Sequence, residues 1–253
     1  MVDGATPMRH AGWTSGGGPR LESLVSLLQL SDSAFPSGRY TLSYGLETLV
    51  QSGHLSAPAA VSTLTTLLCD SIRWGVAPSD GAALACAHRA LCSQGEIDLE
   101  LIARVDLRLT AVKLSREARE ASARTGRAVL ATATAAFGES PLDRYAERVT
   151  RGRSAGNHAV VVGLLGAVLG VPCLEALIGE LYAFASGWAA AAIRLGLVNH
   201  RAAQAVLHHA RPALAAAARD ALDRDIDQIS SCTPLLDAMA MRHEQAELRL
   251  FAS

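Results

Sequence analysis

From residue 20 onward, apolar residues recur every three or four positions, and nowhere does a run of β-branched residues alternate with polar ones. That period of about 3.6 fits one buried helical face, whereas a half-buried strand needs a period of two. The chain is therefore read as all-α. Composition agrees: half of the residues are hydrophobic but only 4% are aromatic, so the apolar content is mostly Ala, Leu and Val. Ala and Leu lose little on entering a helix.

Punctuation divides the pattern. Leu21, Leu24, Val25, Leu27 and Leu28 mark a helix from about 20 to 31, and Phe35-Pro36-Ser37-Gly38 marks a turn. Leu42, Leu46, Leu49 and Val50 define the next helix, with Gly53 as its stop. Ser56 before Pro58 suggests an N-cap and an early helical proline for the helix carrying Val61, Leu64, Leu67 and Leu68. Pro78-Ser79-Asp80 reads as the opening of a separate helix ending near Gly95. Asp98 to Lys113, Ser115 to Phe137 and Pro141 to Arg151 follow, with Glu120 and Arg124 as an i,i+4 pair. Residues 157–196 are the most apolar. There Gly163, Gly166 and Gly170 signal close helix approach, within one subunit or between two. Helices over about 172–195, 200–222 and 234–241 complete the list, and Pro212 is expected to kink or divide the second. The expected architecture is a single-domain helical bundle of about ten helices over 20–253, without the fixed period of a solenoid.

Residues 1–19 hold Gly16-Gly17-Gly18-Pro19 and no apolar h-region, so a disordered leader is expected rather than a signal peptide. Ala159 to Leu174 is uncharged but shorter than the roughly 20 residues of a spanning helix. It and the run from Leu181 to Arg194 are read as core helices, with no membrane partner. A net charge of −1 gives no field to attract nucleic acid. Cys69, Cys86, Cys92, Cys173 and Cys232 are odd in number and contain no C-x-x-C, which fits reduced thiols in a cytoplasmic protein.

Catalytic motifs fail one by one. Lys113 is the sole lysine and follows Val112, so no P-loop exists; no G-x-S-x-G elbow exists either. His243-Glu244-Gln245-Ala246-Glu247 is a near miss to the H-E-x-x-H zinc motif. His208 and His209 are adjacent, so on a helix they diverge. Cys86, His88 and Cys92 are loosely spaced. No enzyme activity, cofactor or metal ligand is assigned. The arginines of Arg124-Thr125-Gly126-Arg127 and Arg151-Gly152-Arg153 pair with surface carboxylates or, on the rarer reading, reach a partner's nucleotide site.

Three segments carry a resemblance. The first runs from Leu27 through Phe35-Pro36-Ser37-Gly38 to Tyr40, Ser43, Tyr44, Gly45, Leu46 and Glu47. The second is Gly156-Asn157-His158 with the Gly-rich helix after it, then Ala189 to Gly196 including Arg194. The third is Pro234 with Arg242-His243-Glu244 and the terminal Arg249-Leu250-Phe251 and Ser253. Together they resemble the UreF family, helical chaperones of nickel-urease maturation. The resemblance implies a cytoplasmic all-α homodimer that bridges an accessory protein of the UreD/UreH type, itself in contact with the urease apoprotein, and a nickel-carrying UreG-type GTPase. It implies docking of the UreD/UreH-type partner through Arg242, His243, Glu244, Arg249, Leu250 and Phe251, and partner contacts at Ser37, Gly38, Tyr40, Ser43, Tyr44 and Glu47. The alternative role is regulation of partner GTP hydrolysis through an Arg supplied in trans. Two positions depart from the family pattern: Arg39 stands where a small residue is usual, and Leu42 where a His is usual. Loss of that His weakens a metal role for the turn and leaves protein binding untouched.

Overall fold

The computed structural model describes residues 21–92, 95–137, 140–245 and 251. The expected leader, residues 1–19, lies outside the described residues. Within them the chain is helical throughout, with α1 (Leu21–Ser31), α2 (Leu46–Gln51), α3 (Val61–Asp70), α4 (Ala82–Arg89), α5 (Leu99–Val112), α6 (Arg116–Ala136), α7 (Leu142–Thr150), α8 (His158–Val168), α9 (Cys173–Arg194), α10 (His200–Leu222) and α11 (Pro234–His243). An isolated bridge between Leu91 and Ile97 is the one β-type pairing among the described residues.

The centre is α8, where nine of eleven residues are buried, including Val160, Val161, Leu164 and Leu165. A helix apolar all round must be enclosed, and α4, α6 and α9 pack around it. Two backbone-on-backbone approaches make that possible. A Cβ on Gly163 would lie 2.4 Å from the Leu84 carbonyl oxygen of α4, and one on Gly126 of α6 would lie 2.0 Å from the Gly156 carbonyl oxygen. Gly163 and Gly166 are therefore packing residues inside one chain. Gly170 differs: with φ +69 and open space around it, it ends α8, its N–H donating to Ala167 O and that of Val171 to Gly166 O.

The entry to α8 is fixed by a buried carboxylate. Asp106 of α5 accepts from the Gly156 N–H at 2.9 Å, the Asn157 N–H at 3.0 Å and Asn157 Nδ2 at 2.7 Å. Tyr145 Oη of α7 donates to it at 3.3 Å. Helix α9 is the one described helix long and apolar enough to cross a membrane. Its Leu177, Leu181, Phe184 and Trp188 are nevertheless buried, with α10 on one side and α1 and α8 on others.

Several boundaries differ from the sequence reading. The helix expected from Leu42 starts at Leu46, because Tyr44 (φ 54) and Gly45 (φ 82) are left-handed. Ser56 caps nothing. The Ala59 N–H is held by Leu197 O at 2.8 Å, so the segment stays extended and α3 begins at Val61. Arg116, not Arg124, pairs with Glu120, at 3.9 Å. Pro212 lies within α10 without dividing it. Asp98 and Ser115, the residues that open the two ranges read from the sequence, cap α5 and α6, accepting from Leu101 N–H at 2.9 Å and Ala118 N–H at 3.1 Å.

The largest difference concerns Pro78, which opens no helix. Ser71–Gly81 is wound as a π-helix joining α3 to α4 in one rod. An α-helix cannot take an interior proline without losing a hydrogen bond and meeting the carbonyl four residues back. The wider turn accommodates Pro78, and the carbonyls it turns outward find donors elsewhere. Ser79 Oγ donates to Gly75 O at 2.7 Å, Ser230 N–H to Pro78 O at 3.0 Å and Cys232 N–H to Trp74 O at 2.8 Å. Residues 230–233 thus lie along the π segment and deliver the chain to α11.

Because Leu84 O is backbone and cannot swing away, Gly163→Ala is expected to destabilise the fold by about 1–3 kcal/mol. Gly166→Ala, whose Cβ would meet only the Ala176 methyl at 3.3 Å, is expected to cost less. Urea unfolding midpoints of the two variants check the ordering.

Candidate functional site

The two ends of the described chain meet. The short helix α2 carries Glu47, buried at 1% exposure, and α11 ends on His243, buried at 2%. His243 Nε2 lies 3.1 Å from Glu47 Oε2, and its Nδ1 lies 2.7 Å from Glu117 Oε2 in the first turn of α6. Beside them, Glu244 Oε1 accepts the otherwise orphaned N–H groups of Arg116 at 2.6 Å and Glu117 at 3.3 Å. Phe251 N–H returns to Glu47 Oε2 at 3.2 Å. The Phe251 ring and the Tyr40 ring both face the Arg194 guanidinium, with Cζ 4.6 and 4.2 Å from their centroids. Arg194 also donates to the Tyr40 carbonyl, and at 3.4 Å to that of Leu42.

The N-terminal turn continues inward. Gly38 is left-handed (φ 73) and delivers Arg39 into the bundle. Arg39 Nη1 donates to Glu180 Oε2 of α9 at 2.9 Å and lies 3.1 Å from His158 Nε2 at the start of α8. Burial works to raise the Glu180 carboxyl, but the adjacent Arg39 guanidinium and His158 ring outweigh it and hold the group at about 2. Tyr44 packs edge-on to Phe184 at 4.8 Å and occupies the space that a side chain on Gly187 would fill. Arg39, Leu42 and Glu180 line a cavity of about 240 Å³ that Asp80 and Lys113 line as well. Those two form a second ion pair, at 2.7 Å.

All of the sequence-assigned partner residues but Arg249 and Leu250 have a place among the described residues. Tyr40 and Arg242 are exposed, as is Gly38. Ser37, Tyr44, Glu244 and Phe251 are half-buried. Ser43, Glu47 and His243 are interior, and Arg249 and Leu250 lie outside the described residues. The N- and C-terminal motifs, over two hundred residues apart, are thus one structural unit. Arg127 and Arg151, with Arg153, are exposed about a single loop: Arg127 reaches Ala155 O at 3.4 Å and Arg151 pairs with Glu147 at 2.5 Å.

Sequence reasoning passed over Glu117 and Glu180. A signal existed for Glu180. It shares a helical face with Leu177, Phe184 and Trp188, and an acid on a buried face requires a partner. Glu117 offered none, since an acid in a first helical turn is ordinary. Among the described residues, no group of three His, Cys, Asp or Glu side chains is placed to hold a metal ion. Both cavity cations are already matched by carboxylates. The arrangement can fix backbone segments and present Tyr40 and Arg242 outward.

Residues 59–211, from the lead-in to α3 into α10, match the UreF family model. The chain is also similar over most of its length to proteins named urease accessory protein UreF. The Trichodesmium erythraeum protein is 33% identical over 230 residues, covering 90% of this chain and 96% of the relative. That of a Bradyrhizobium species is 34% identical over 242 residues, covering 95% and 96%. That of Paenarthrobacter aurescens is 32% identical over 229 residues, covering 90% and 97%.

The Glu180 ion pair sets an acid limit. Its folded value of about 2 lies below the usual 4.5, so its contribution to stability is complete above pH 4.5 and is lost as pH falls toward 2. Glu180→Gln is expected to cost about 3–5 kcal/mol at neutral pH, because it leaves the buried Arg39 charge unpaired, and to flatten stability across that acid window. Chemical denaturation of wild type and variant at stepped pH measures both effects.

Proposed function

Taking as premise that this chain belongs to the UreF family of urease accessory proteins, we propose that it is a non-enzymatic scaffold for nickel insertion into urease. In this reading it bridges an accessory protein of the UreD/UreH type and a UreG-type GTPase, acts as a cytoplasmic homodimer, and reaches the urease apoprotein through the complex.

The observation that carries the reading is the junction of the two motifs. Arg194 lies against the rings of Tyr40 and Phe251, and Phe251 is tied to Glu47. An exposed aromatic flanked by arginines is the kind of anchor that dominates protein interfaces. Tyr40 is 71% exposed although its ring is already oriented by Arg194, so docking costs little side-chain entropy. The docking residues fall into two groups. Tyr40 and Arg242 touch the partner, while Glu47, His243 and Ser43 hold the surface in shape from inside.

A second reading rests on the exposed arginines at 127, 151 and 153 around one loop. An arginine reaching a partner's nucleotide would accelerate hydrolysis by orders of magnitude.

Co-purification with the UreD/UreH-type partner tests the scaffold. Tyr40→Ala and Arg242→Ala are expected to reduce capture about tenfold each, the size of an interface anchor, with unfolding midpoints unchanged. Deleting 242–253 is expected to remove capture and also to destabilise the bundle, because His243 and Phe251 leave with it. Full capture by both point variants would overturn the docking surface. Single-turnover GTP hydrolysis by the GTPase partner separates the second reading. A scaffold predicts equal rates with wild type and with Arg→Ala at 127, 151 and 153, and a fall in rate would favour the arginine.

A further inference from the structure

We infer that the docking surface at Tyr40 continues over α6 as a cationic strip, Arg124, Arg127 and Arg153, that steers an acidic segment of the same protein partner into place. The inference rests on the docking reading, because it takes that partner as the occupant.

The sequence leaves this stretch without counter-charges of its own. Residues 121–137 of α6 and residues 148–157 after α7 together hold five arginines and no aspartate or glutamate. Two of the five are met from elsewhere, Arg148 by Glu100 at 3.1 Å and Arg151 by Glu147 at 2.5 Å. Arg124, Arg127 and Arg153 are exposed, and none of them makes an ion pair among the described residues. Glu120, one turn before Arg124, reaches Arg116 instead.

Packing sets the three in a row. A Cβ on Gly38 would lie 3.5 Å from Arg124 Nη1, so that guanidinium stands beside the turn that presents Tyr40. Arg127 follows three residues later, on the same side of the helix. Its Cγ is 3.4 Å from where a Cβ on Gly156 would be, and its Nη1 donates to Ala155 O at 3.4 Å. Arg153 stands on the loop that leads there. The course of that loop is set by Gly152 (φ 68), with Gly152 N–H donating to Val149 O at 3.0 Å and Arg153 N–H to Arg148 O at 2.9 Å. The approach of Gly126 to the Gly156 carbonyl joins α6 to the loop, so the strip has a rigid support.

The surface around the arginines is low. Ala131 and Ala135 are exposed and Ala123 and Ala128 half-buried, so a partner segment can lie close to the helix. Like charges one turn apart repel, and on a chain of net charge −1 the strip is a local excess that contributes nothing to folding. Carboxylates from a partner remove that repulsion. Nucleic acid fits less well: residues 121–136 and 148–157 hold no aromatic side chain for base stacking, and three charges supply few of the phosphate contacts on which such binding depends. Charges at the rim of an interface act mainly on the encounter, raising the association rate, while buried anchors govern dissociation. Tyr40 is the anchor and the strip is the guide.

Association and dissociation rates of the whole chain on the immobilised UreD/UreH-type partner, from about 50 mM to about 500 mM salt, test this, because screening shortens from more than about 10 Å to less than that across the range. The wild-type association rate is expected to fall steeply with salt. The triple variant Arg124→Glu, Arg127→Glu, Arg153→Glu is expected to associate about tenfold more slowly or worse at low salt, to lose most of the salt dependence, and to dissociate at nearly the wild-type rate. Arg124→Lys, Arg127→Lys, Arg153→Lys keeps the charge and is expected to restore the salt dependence. Should reversal at Arg127 disturb folding, Arg124→Glu with Arg153→Glu is read in the same way. A wild-type association rate insensitive to salt, or unchanged by reversal, would overturn the strip. Lysine variants that behave like the glutamate ones would also overturn it, in favour of an arginine whose planar geometry is read by a nucleotide. Failure of the docking reading looks different: Tyr40→Ala and Arg242→Ala would both retain full capture. If Tyr40→Ala speeds dissociation while charge reversal changes nothing, docking stands and the strip falls.

Discussion

The bundle depends on how closely backbone can approach α8. A helix with no polar face has no direction from which solvent can reach it, so neighbours must cover it on all sides. Gly163 lets α4 come within contact of its backbone, and Gly126 lets α6 meet the turn at Gly156. Asp106 then binds the two N–H groups of that turn, with Asn157 Nδ2 beside them, and fixes where α8 starts. A carboxylate is an effective choice because it accepts several hydrogen bonds at once, and charged acceptors make stronger ones. The cost of burying it is met only if all of those donors arrive together, which ties α5, α7 and the entry to α8 into one cooperative unit.

Polar groups near the ends of the chain follow the same logic with more at stake. Arg39, Glu180 and His158 form one buried constellation, and His243, Glu47 and Glu117 another. The Arg39 charge meets Glu180 beneath the turn that presents Tyr40. Leu42 is a buried apolar wall of the same cavity. The turn is thereby anchored by ionic contacts on one side and apolar ones on the other, with its exposed aromatic at the tip.

Much of this was legible in the sequence. Periodicity identified the helices, the absence of alternation excluded a sheet, and the ranges opening at Asp98 and Ser115 match α5 and α6, where the structure finds these two residues capping. The resemblance singled out Glu47, His243 and Phe251 as important, and they meet. What sequence could not supply was the side of the surface on which each one stands. His243 and Arg242 are neighbours in a motif, yet one is interior and the other exposed. The phase of a short terminal helix is set by what it packs on, and here that is Glu117, a residue with no distinguishing pattern. The helix from Pro78 failed for a related reason. Proline was read as punctuation by a rule that applies to α-winding, and the chain abandons α-winding there.

That π-wound stretch makes chain length, rather than residue identity, the sensitive variable between Ser71 and Gly81. A π-helix holds more residues per turn than an α-helix, so it behaves as a helix that has absorbed insertions without growing correspondingly longer. Removing one residue would relax the winding toward 3.6 per turn and rotate everything downstream by roughly 100° about the rod. Leu84 would leave the groove against Gly163, and the carbonyls of Trp74 and Pro78 would turn away from residues 230–232. Side chains facing solvent there, such as Trp74, are free to vary, but the count is not. The rod works as a phase adjuster, setting α4 against the centre of the bundle and, through the strand of chain laid along it, the angle at which the far end of the molecule returns to its beginning.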